Sequence, residues 1–468
     1  MLATQLAALV DGTPAGTAET LDLVDGFDAC LVTGFGRLGD DGAAALTALA
    51  AGVAVTPLGD RASEAAAKLA AGSIADEHLT TLAGARAALL GAVHDALLDR
   101  ADTAVGRPRS EWVAADADAP DAPRNLLEGC RSWLRELAVT GWRGVDHDLV
   151  SSSGQVLEAM LMPSVVTQPR LRRLAVLVDG LAAELRASAP IATMDELPVR
   201  RWADLWARAM LLCQPGTWPA GAAETVSGRL LVLGVDVHEH ATAVQVQVHG
   251  LLELAGETTP RLVRTTVAAA KVDTIVGPAI WRLFDGYPAL LAALTDGRAL
   301  TVTDLTLLSS GDLLWADDRA QAGDPADPFV TARIHLAGAV APAVPPLDRH
   351  PVRLAEPVLV EGYAVDDGVL VLDGHRLALD LDRLPTLGPL TPELVTGSTA
   401  CLGLLRWDDG QWSLQPLAIQ ATVKRKPVPM HVGDWASGPT DPKVAKAVKA
   451  AGDTVAVLRE RASRLLRK

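Results

Sequence analysis

The sequence predicts an α+β chain of several domains: one or more N-terminal helical bundles, then an antiparallel β-rich half of barrel or sandwich type, then a basic C-terminal helix. Three observations predict it. Apolar residues recur at spacings of three and four as far as about Gln214, and from about Ser227 they alternate instead. Asp-Gly pairs divide the alternating runs where tight hairpins need them. The last stretch, Lys443 to Lys468, carries eight basic residues against Asp453 and Glu460. At 468 residues the chain is also too long for one hydrophobic core. The expected divisions are a helical domain over 1–115, a second helical block over 124–225, a β-rich domain over 226–440 and the basic helix over 441–468.

In the first block, Ala62–Ala71 and Glu77–Arg100 are rich in Ala and Leu. Leu79, Leu82, Ala83, Ala87, Leu90, Val93 and Leu97 trace one stripe of the second of these helices. The acidic, Pro-containing run Asp116–Pro123 reads as a linker. Core faces of the second block are marked by Trp133, Leu134 and Leu137, by Leu171, Leu174, Leu177, Val178 and Leu181, and by Trp202, Leu205, Trp206 and Met210. Strands are expected at Leu230–Val237, Ala243–Leu251, Leu262–Ala269, Leu300–Leu307, Phe329–Leu336, Val352–Tyr363 and Leu370–Leu381, with one helix, Gly277–Leu294, among them. Asp366-Asp367-Gly368 and Asp408-Asp409-Gly410 mark turns between antiparallel strands, whereas Ala322–Pro328 and Ala341–Pro346 read as loops. No internal repeat of fixed period is visible.

Composition excludes several functions. No stretch is apolar enough to cross a hydrocarbon core of roughly 30 Å, and MLATQLAALVDG lacks the basic start of a signal peptide. Cys30, Cys130, Cys213 and Cys401 lie far apart and form no C-x-x-C, so reduced cytosolic thiols are expected. Arg far outnumbers Lys, and Ala, Asp and Gly abound, the bias of a high-GC bacterial genome. A net charge of −15 argues against general nucleic-acid binding.

The charge is segregated, with +6 over Lys443–Lys468 and −21 on the rest. That singles out Lys443, Lys446, Lys449, Arg459, Arg461, Arg464, Arg467 and Lys468 as partner-binding candidates. Val444, Val448, Val455, Leu458, Leu465 and Leu466 form the opposite, apolar side. Such a helix docks on a partner's groove, on an anionic surface or on the protein's own acidic body, or it is a plain solvated terminus.

Candidate chemistry is sparse. Gly34-Phe35-Gly36-Arg37-Leu38-Gly39 follows an expected strand (Ala29–Thr33) and precedes a helix, the setting in which Gly34, Gly36 and Gly39 would cradle a dinucleotide pyrophosphate. Asp60 would then meet a ribose hydroxyl. Against this, Asp40 and Asp41 stand where they repel phosphate, and no further strand follows; the other reading is a Gly-rich turn. His238-Glu239-His240, with His249 nearby, resembles a metal-ligand group but sits at an expected hairpin tip. Asp146-His147-Asp148 has residue types suited to acid–base work, but before Leu149 and Val150, ahead of Ser151-Ser152-Ser153, it reads as a helix boundary with capping side chains. P-loop, nucleophile-elbow, HExxH and C-x-x-C motifs are absent from the sequence, and no cofactor is expected on the leading reading.

LAGARAALLGAVHDALLDRA (Leu82–Ala101) and LLEGCRSWLRELAVTGW (Leu126–Trp142) resemble helical proteins that bacteria encode beside MoxR-type AAA ATPases, von Willebrand A proteins and SWIM zinc-finger proteins. The likeness covers under a tenth of the chain and carries no catalytic or metal motif, and the SWIM zinc signature is missing. It implies a non-enzymatic accessory of an ATPase-driven assembly, with a MoxR-type ATPase or a von Willebrand A protein as partner. The expectation is therefore an interaction or scaffold protein, and the alternative is a nucleotide- or NAD(P)-binding protein.

Overall fold

The computed structural model describes residues 1–114, 124–160, 162, 165, 168–215, 221–240, 242–423, 426–451, 455–457 and 460. The linker expected over Asp116–Pro123 lies outside them. Helices come first: α1 (Ala3–Val10), α2 (Thr17–Thr33), α3 (Asp40–Gly52), α4 (Gly59–Ala70), α5 (Asp76–Val105), α6 (Arg124–Thr140), α7 (His147–Met160), α8 (Pro169–Ala187) and α9 (Val199–Leu212). Strands dominate from Ala223, so the chain is α+β, with helices N-terminal and sheet C-terminal.

The helices form a repeat. In both α2–α5 and α6–α9, a first helix of 17 residues ends at a Thr and is followed by a glycine of positive φ, Gly34 (84°) or Gly141 (74°). A 3-10 turn comes next, Phe35–Arg37 or Trp142–Gly144, with its aromatic buried. Then Leu38 and Val145, with φ −68° in both and ψ 117° and 119°, lead into the second helix. The copies face each other with reciprocal contacts: α2 touches the second turn as α6 touches the first, α5 touches α9, and each copy's first helix touches the other's last. Reciprocity of this kind is the signature of a two-fold arrangement. It corrects the reading that found no repeat: the obvious likeness is only Val32-Thr33-Gly34-Phe35 against Val139-Thr140-Gly141-Trp142.

The strands follow as β1 (Ala223–Glu239), β2 (Ala243–Leu254), β3 (Arg261–Ala270), β4 (Arg298–Leu308), β5 (Asp312–Leu314) and β6 (Ala320–Pro325). Their pairings run β1-β2-β3-β5-β4 and return to β1; only β3–β5 is parallel, and β6 adds to β4. Between β3 and β4 come a 3-10 segment, Gly277–Phe284, and helix α10 (Pro288–Asp296), the expected helix divided before Pro288.

Helix α11 (Pro328–Thr331) leads to a second set: β7 (Glu356–Glu361), β8 (Ala364–Asp366), β9 (Val369–Leu372), β10 (His375–Leu379), helix α12 (Pro392–Thr396), β11 (Ala400–Asp408), β12 (Gln411–Val423) and β13 (Lys426–His431). β7 and β8 are one strand interrupted at Gly362, whose φ is 75°. Counted so, the pairings repeat the first path, again with one parallel pair, β10–β12. Helix α13 (Pro442–Ala451) comes after β13.

Three expected elements need correction. Phe329–Leu336 is helical, because Asp327 caps the amides of Phe329 and Val330 and Pro328 occupies the first turn. Ala322–Pro325, read as loop, continues β6 and pairs with β4. Leu370–Leu381 is two strands, since Asp373 and Gly374 both take positive φ and turn the chain.

Helix α5 enters two cores. Leu79, Leu82 and Leu90 pack among the helices, whereas Val93, Leu97, Leu98 and Ala101 pack with α1 and both strand sets. A third cluster lies between the sets, where Leu231, Leu233 and Leu251 meet Phe329, Leu336, Leu359 and Leu402. There β1 shifts register between Val232 and Gly234, and a Cβ at Gly234 would lie 2.7 Å from Leu417 Cβ. Next to it Asp236 is buried: Oδ1 accepts from Gln415 Nε2 at 2.7 Å and Oδ2 from Arg406 Nη2 at 3.1 Å.

Two stability predictions follow from these contacts. Gly141→Ala should cost more than about 2 kcal/mol in urea unfolding, because both its φ and the Gly34 backbone oppose a Cβ. Arg406→Met should cost about 1–3 kcal/mol by taking the guanidinium from buried Asp236, which then keeps only His238 and Gln415, and adding Asp236→Asn should return part of that loss.

Candidate functional site

The glycine motif is built into the helical repeat. Ala29–Thr33 belongs to α2, not to a strand, because Val24, Phe27 and Leu31 follow the helical period into the core. A Cβ on Gly34 would lie 2.5 Å from the Val139 carbonyl oxygen and the Gly141 nitrogen, and one on Gly36 2.9 Å from that same oxygen. The close approach that these glycines permit is thus to the other copy's backbone. Gly39 has open space around it, and Asp60 is exposed in the first turn of α4.

The His-Glu-His group stands where β1 turns into β2, with His240 N–H bonded to the Ala243 carbonyl. Its side chains have separate partners: His238 Nε2 lies 3.1 Å from Asp236, Glu239 3.0 Å from Lys271 Nζ, and His240 is exposed. Among the described residues no three His, Cys, Asp or Glu side chains are grouped to hold a metal. Burial alone would raise the Asp236 pKa, but the hydrogen bond and charge of His238, with Arg406, hold it well below the usual carboxylate range. A carboxylate so committed ties the strand sets together and makes a poor base. Asp146 caps α7 by accepting from Leu149 N–H at 2.8 Å, and His147 Nδ1 lies 2.8 Å from Ser151 Oγ. Cys30, Cys130, Cys213 and Cys401 are buried and free of disulfides. No described helix is long and apolar enough to cross a membrane.

Two outward features remain. Lys443, Lys446 and Lys449 lie exposed along α13 with no ion pair among the described residues, while Val444 and Val455 pack on the main core. Arg459, Arg461, Arg464, Arg467 and Lys468 fall outside the described residues. The second feature is a groove of about 380 Å³ between the α1–α2 connection and the second strand set. Val10, Gly12 and Thr13 form one wall; Val369, Arg376 and Ala378 of β9 and β10 form the other, and Trp412 lies at the Asp408-Asp409-Gly410 hairpin. The Trp412 indole N–H is buried without an acceptor. Sequence reasoning marked that hairpin as a turn and passed over Val369 and Arg376, because nothing local shows that β9 and β10 share an outer face beside it.

Buried histidines give the protein a pH dependence. Burial pushes His249 down to about 4, and burial with Arg86, Arg208 and Arg353 pushes His350 down to about 2. An unfolded imidazole takes its proton near 6.5, so between there and about 4 the unfolded chain binds more protons and stability falls as pH falls. His249 alone should remove about 3 kcal/mol over that window. Urea midpoints measured from pH 7 to pH 4 should show this slope, and His249→Gln should remove about half of it, His350 supplying the rest.

Compared with known proteins, the chain matches no family model, no curated protein and no solved structure.

Proposed function

We propose that the chain is a non-enzymatic interaction protein of the bacterial cytoplasm, with two tandem five-stranded barrels of the OB type mounted on a helical half. Support for the barrels comes from connectivity. Each strand set pairs in the order one-two-three-five-four and back to one, with a helix between the third and fourth strands. That is a five-stranded Greek-key arrangement closed on itself.

The observation that carries the reading is the groove on the second set. OB barrels take ligands across the second and third strands and the hairpin between the fourth and fifth. Val369 and Ala378 occupy the second- and third-strand places here, with Gly410 and Gln411 at the hairpin. Single-stranded nucleic acid suits the first set poorly: the outward residues Gln245, Gln247, Thr266 and Ala268 include no aromatic ring for base stacking. The Lys443, Lys446 and Lys449 face adds a second, electrostatic contact on an otherwise acidic chain. The resemblance of Leu82–Ala101 and Leu126–Trp142 directs the search for a partner to MoxR-type ATPases and von Willebrand A proteins. The glycine-motif alternative gains nothing from the geometry, since the Gly34 and Gly36 side is filled by Val139–Gly141.

Affinity purification of the tagged full chain from its own host tests the proposal. A MoxR-type ATPase or von Willebrand A protein should co-purify, Val369→Arg should abolish its recovery, and the triple variant K443E/K446E/K449E should reduce it. The same proteins recovered with all variants and wild type would overturn the reading.

A further inference from the structure

A cluster of arginines joins the helical half to the segment that leads into the second strand set. Arg86 of α5 is bidentate on Asp28, at 2.6 and 2.9 Å. Asp204 of α9 lies 3.6 Å from Arg86 Nη1 and 3.4 Å from His350 Nε2, and its other oxygen pairs with Arg208. Asp348 takes Arg173 at 2.7 Å and Arg353 at 2.6 Å on a single oxygen. Four guanidiniums thus share three carboxylates, and one positive charge is left over. Neighbouring Arg200 and Arg349 do not change the balance, because each has its own carboxylate, Asp25 and Asp95.

The surplus falls on Arg208. Its Nε and Nη1 are buried with no hydrogen-bond partner, and so is His350 Nε2. His350 Nδ1 accepts from Val352 N–H, so the proton of the neutral ring sits on Nε2, and all three orphans are donors. A buried donor without an acceptor is a standing cost that a ligand's oxygen relieves. Side-chain exposure rises outward, from 8% at His350 and 11% at Arg208 to 31% at Arg173 and 42% at Arg353. Burial and the charges of Arg353 and Arg173 pull the Arg208 pKa down to about 9, the response of a cation among cations.

We propose that this cluster is a phosphate site, with Arg208 and His350 at its floor and Arg173 and Arg353 at its mouth. A phosphate group supplies the missing negative charge and several acceptor oxygens at once, and a guanidinium's Nε–H and Nη–H fork matches two of those oxygens. The same group is presented by free phosphate and by a nucleotide.

Calorimetry and thermal unfolding of the full chain decide the matter, with inorganic phosphate, sodium chloride at matched ionic strength and ATP without magnesium as three arms. Phosphate should bind saturably and raise Tm where chloride does not; a saturable effect with ATP alone would assign the group to a nucleotide. Arg208→Met should abolish the saturable effect. Arg353→Gln, at an exposed position that should leave folding intact, should weaken affinity by about tenfold or more. Equal shifts with all three anions, or undiminished binding by Arg353→Gln together with a folded Arg208→Met, would overturn the proposal.

Discussion

Helix α5 contributes its first half to one hydrophobic core and its second half to another, and the arrangement of the halves hangs on that sharing. Its 30 residues span about 45 Å at the α-helical rise, enough to reach through both cores. Leu79 to Leu90 give the helical repeat its central wall, and Val93 to Ala104 do the same for the strand sets. A rotation of α5 that improved one core would turn the other stripe toward solvent, so the halves cannot adjust independently. Just past its end, Arg107 and Arg109 both reach Glu356 at the start of β7, and Arg109 also holds Asp102 at 2.6 Å. Buried ion pairs contribute little net stability against an apolar substitute, but they penalise misalignment heavily. Apolar packing fixes the distance between the halves, and these pairs fix the register.

Close backbone approach is the second constraint, and it is met by glycine. At the two-fold centre of the helical half Gly34 meets Gly141, and between the strand sets Gly234 faces Leu417. In each case the free space beside the glycine is used by the same chain. That is why a Gly-rich sequence suited to a phosphate serves here as a helix crossing. The conformational demand is identical for both uses, positive φ and no Cβ, and the sequence around Gly34 does not say what approaches.

The α+β class and the helix-to-strand order were legible because they depend on period. The stripe from Leu79 to Leu97 is helical and the run Leu230–Val237 alternates, whatever they pack against. Hairpins were legible where Asp-Gly stood between apolar runs, as at Asp408-Asp409-Gly410. They were missed where the same signal lay inside a run, as at Asp373-Gly374. Asp327-Pro328 begins a helix by local chemistry, yet the apolar residues after it also suit a strand. The site was much less legible. Val369 and Ala378 are ordinary core-type residues whose outward placement depends on pairings between β9, β10 and β12. Arg208 owes its unpaired donors to Asp348 being claimed by Arg173 and Arg353, from two other segments. Neither relation is local.

Both halves consist of doubled units, but the doubling differs in kind. The helical copies use the same surface on each other, so their equivalent faces are buried together and the arrangement is closed. The strand sets use different surfaces: β1 of the first packs on β11 and β12 of the second. An unequal contact of this sort consumes the first-strand face of one unit and the fourth- and fifth-strand face of the other. It leaves the second- and third-strand face of both units outside that contact, although α1 touches β10 of the second. On the first set that face is polar, with Gln247 Nε2 bonded to Thr266 Oγ1, and it satisfies itself. On the second it is apolar at Val369 and Ala378. Of two units with one connectivity, only the second presents apolar side chains on that face, and that difference makes it the face on which a partner's chain gains most by binding.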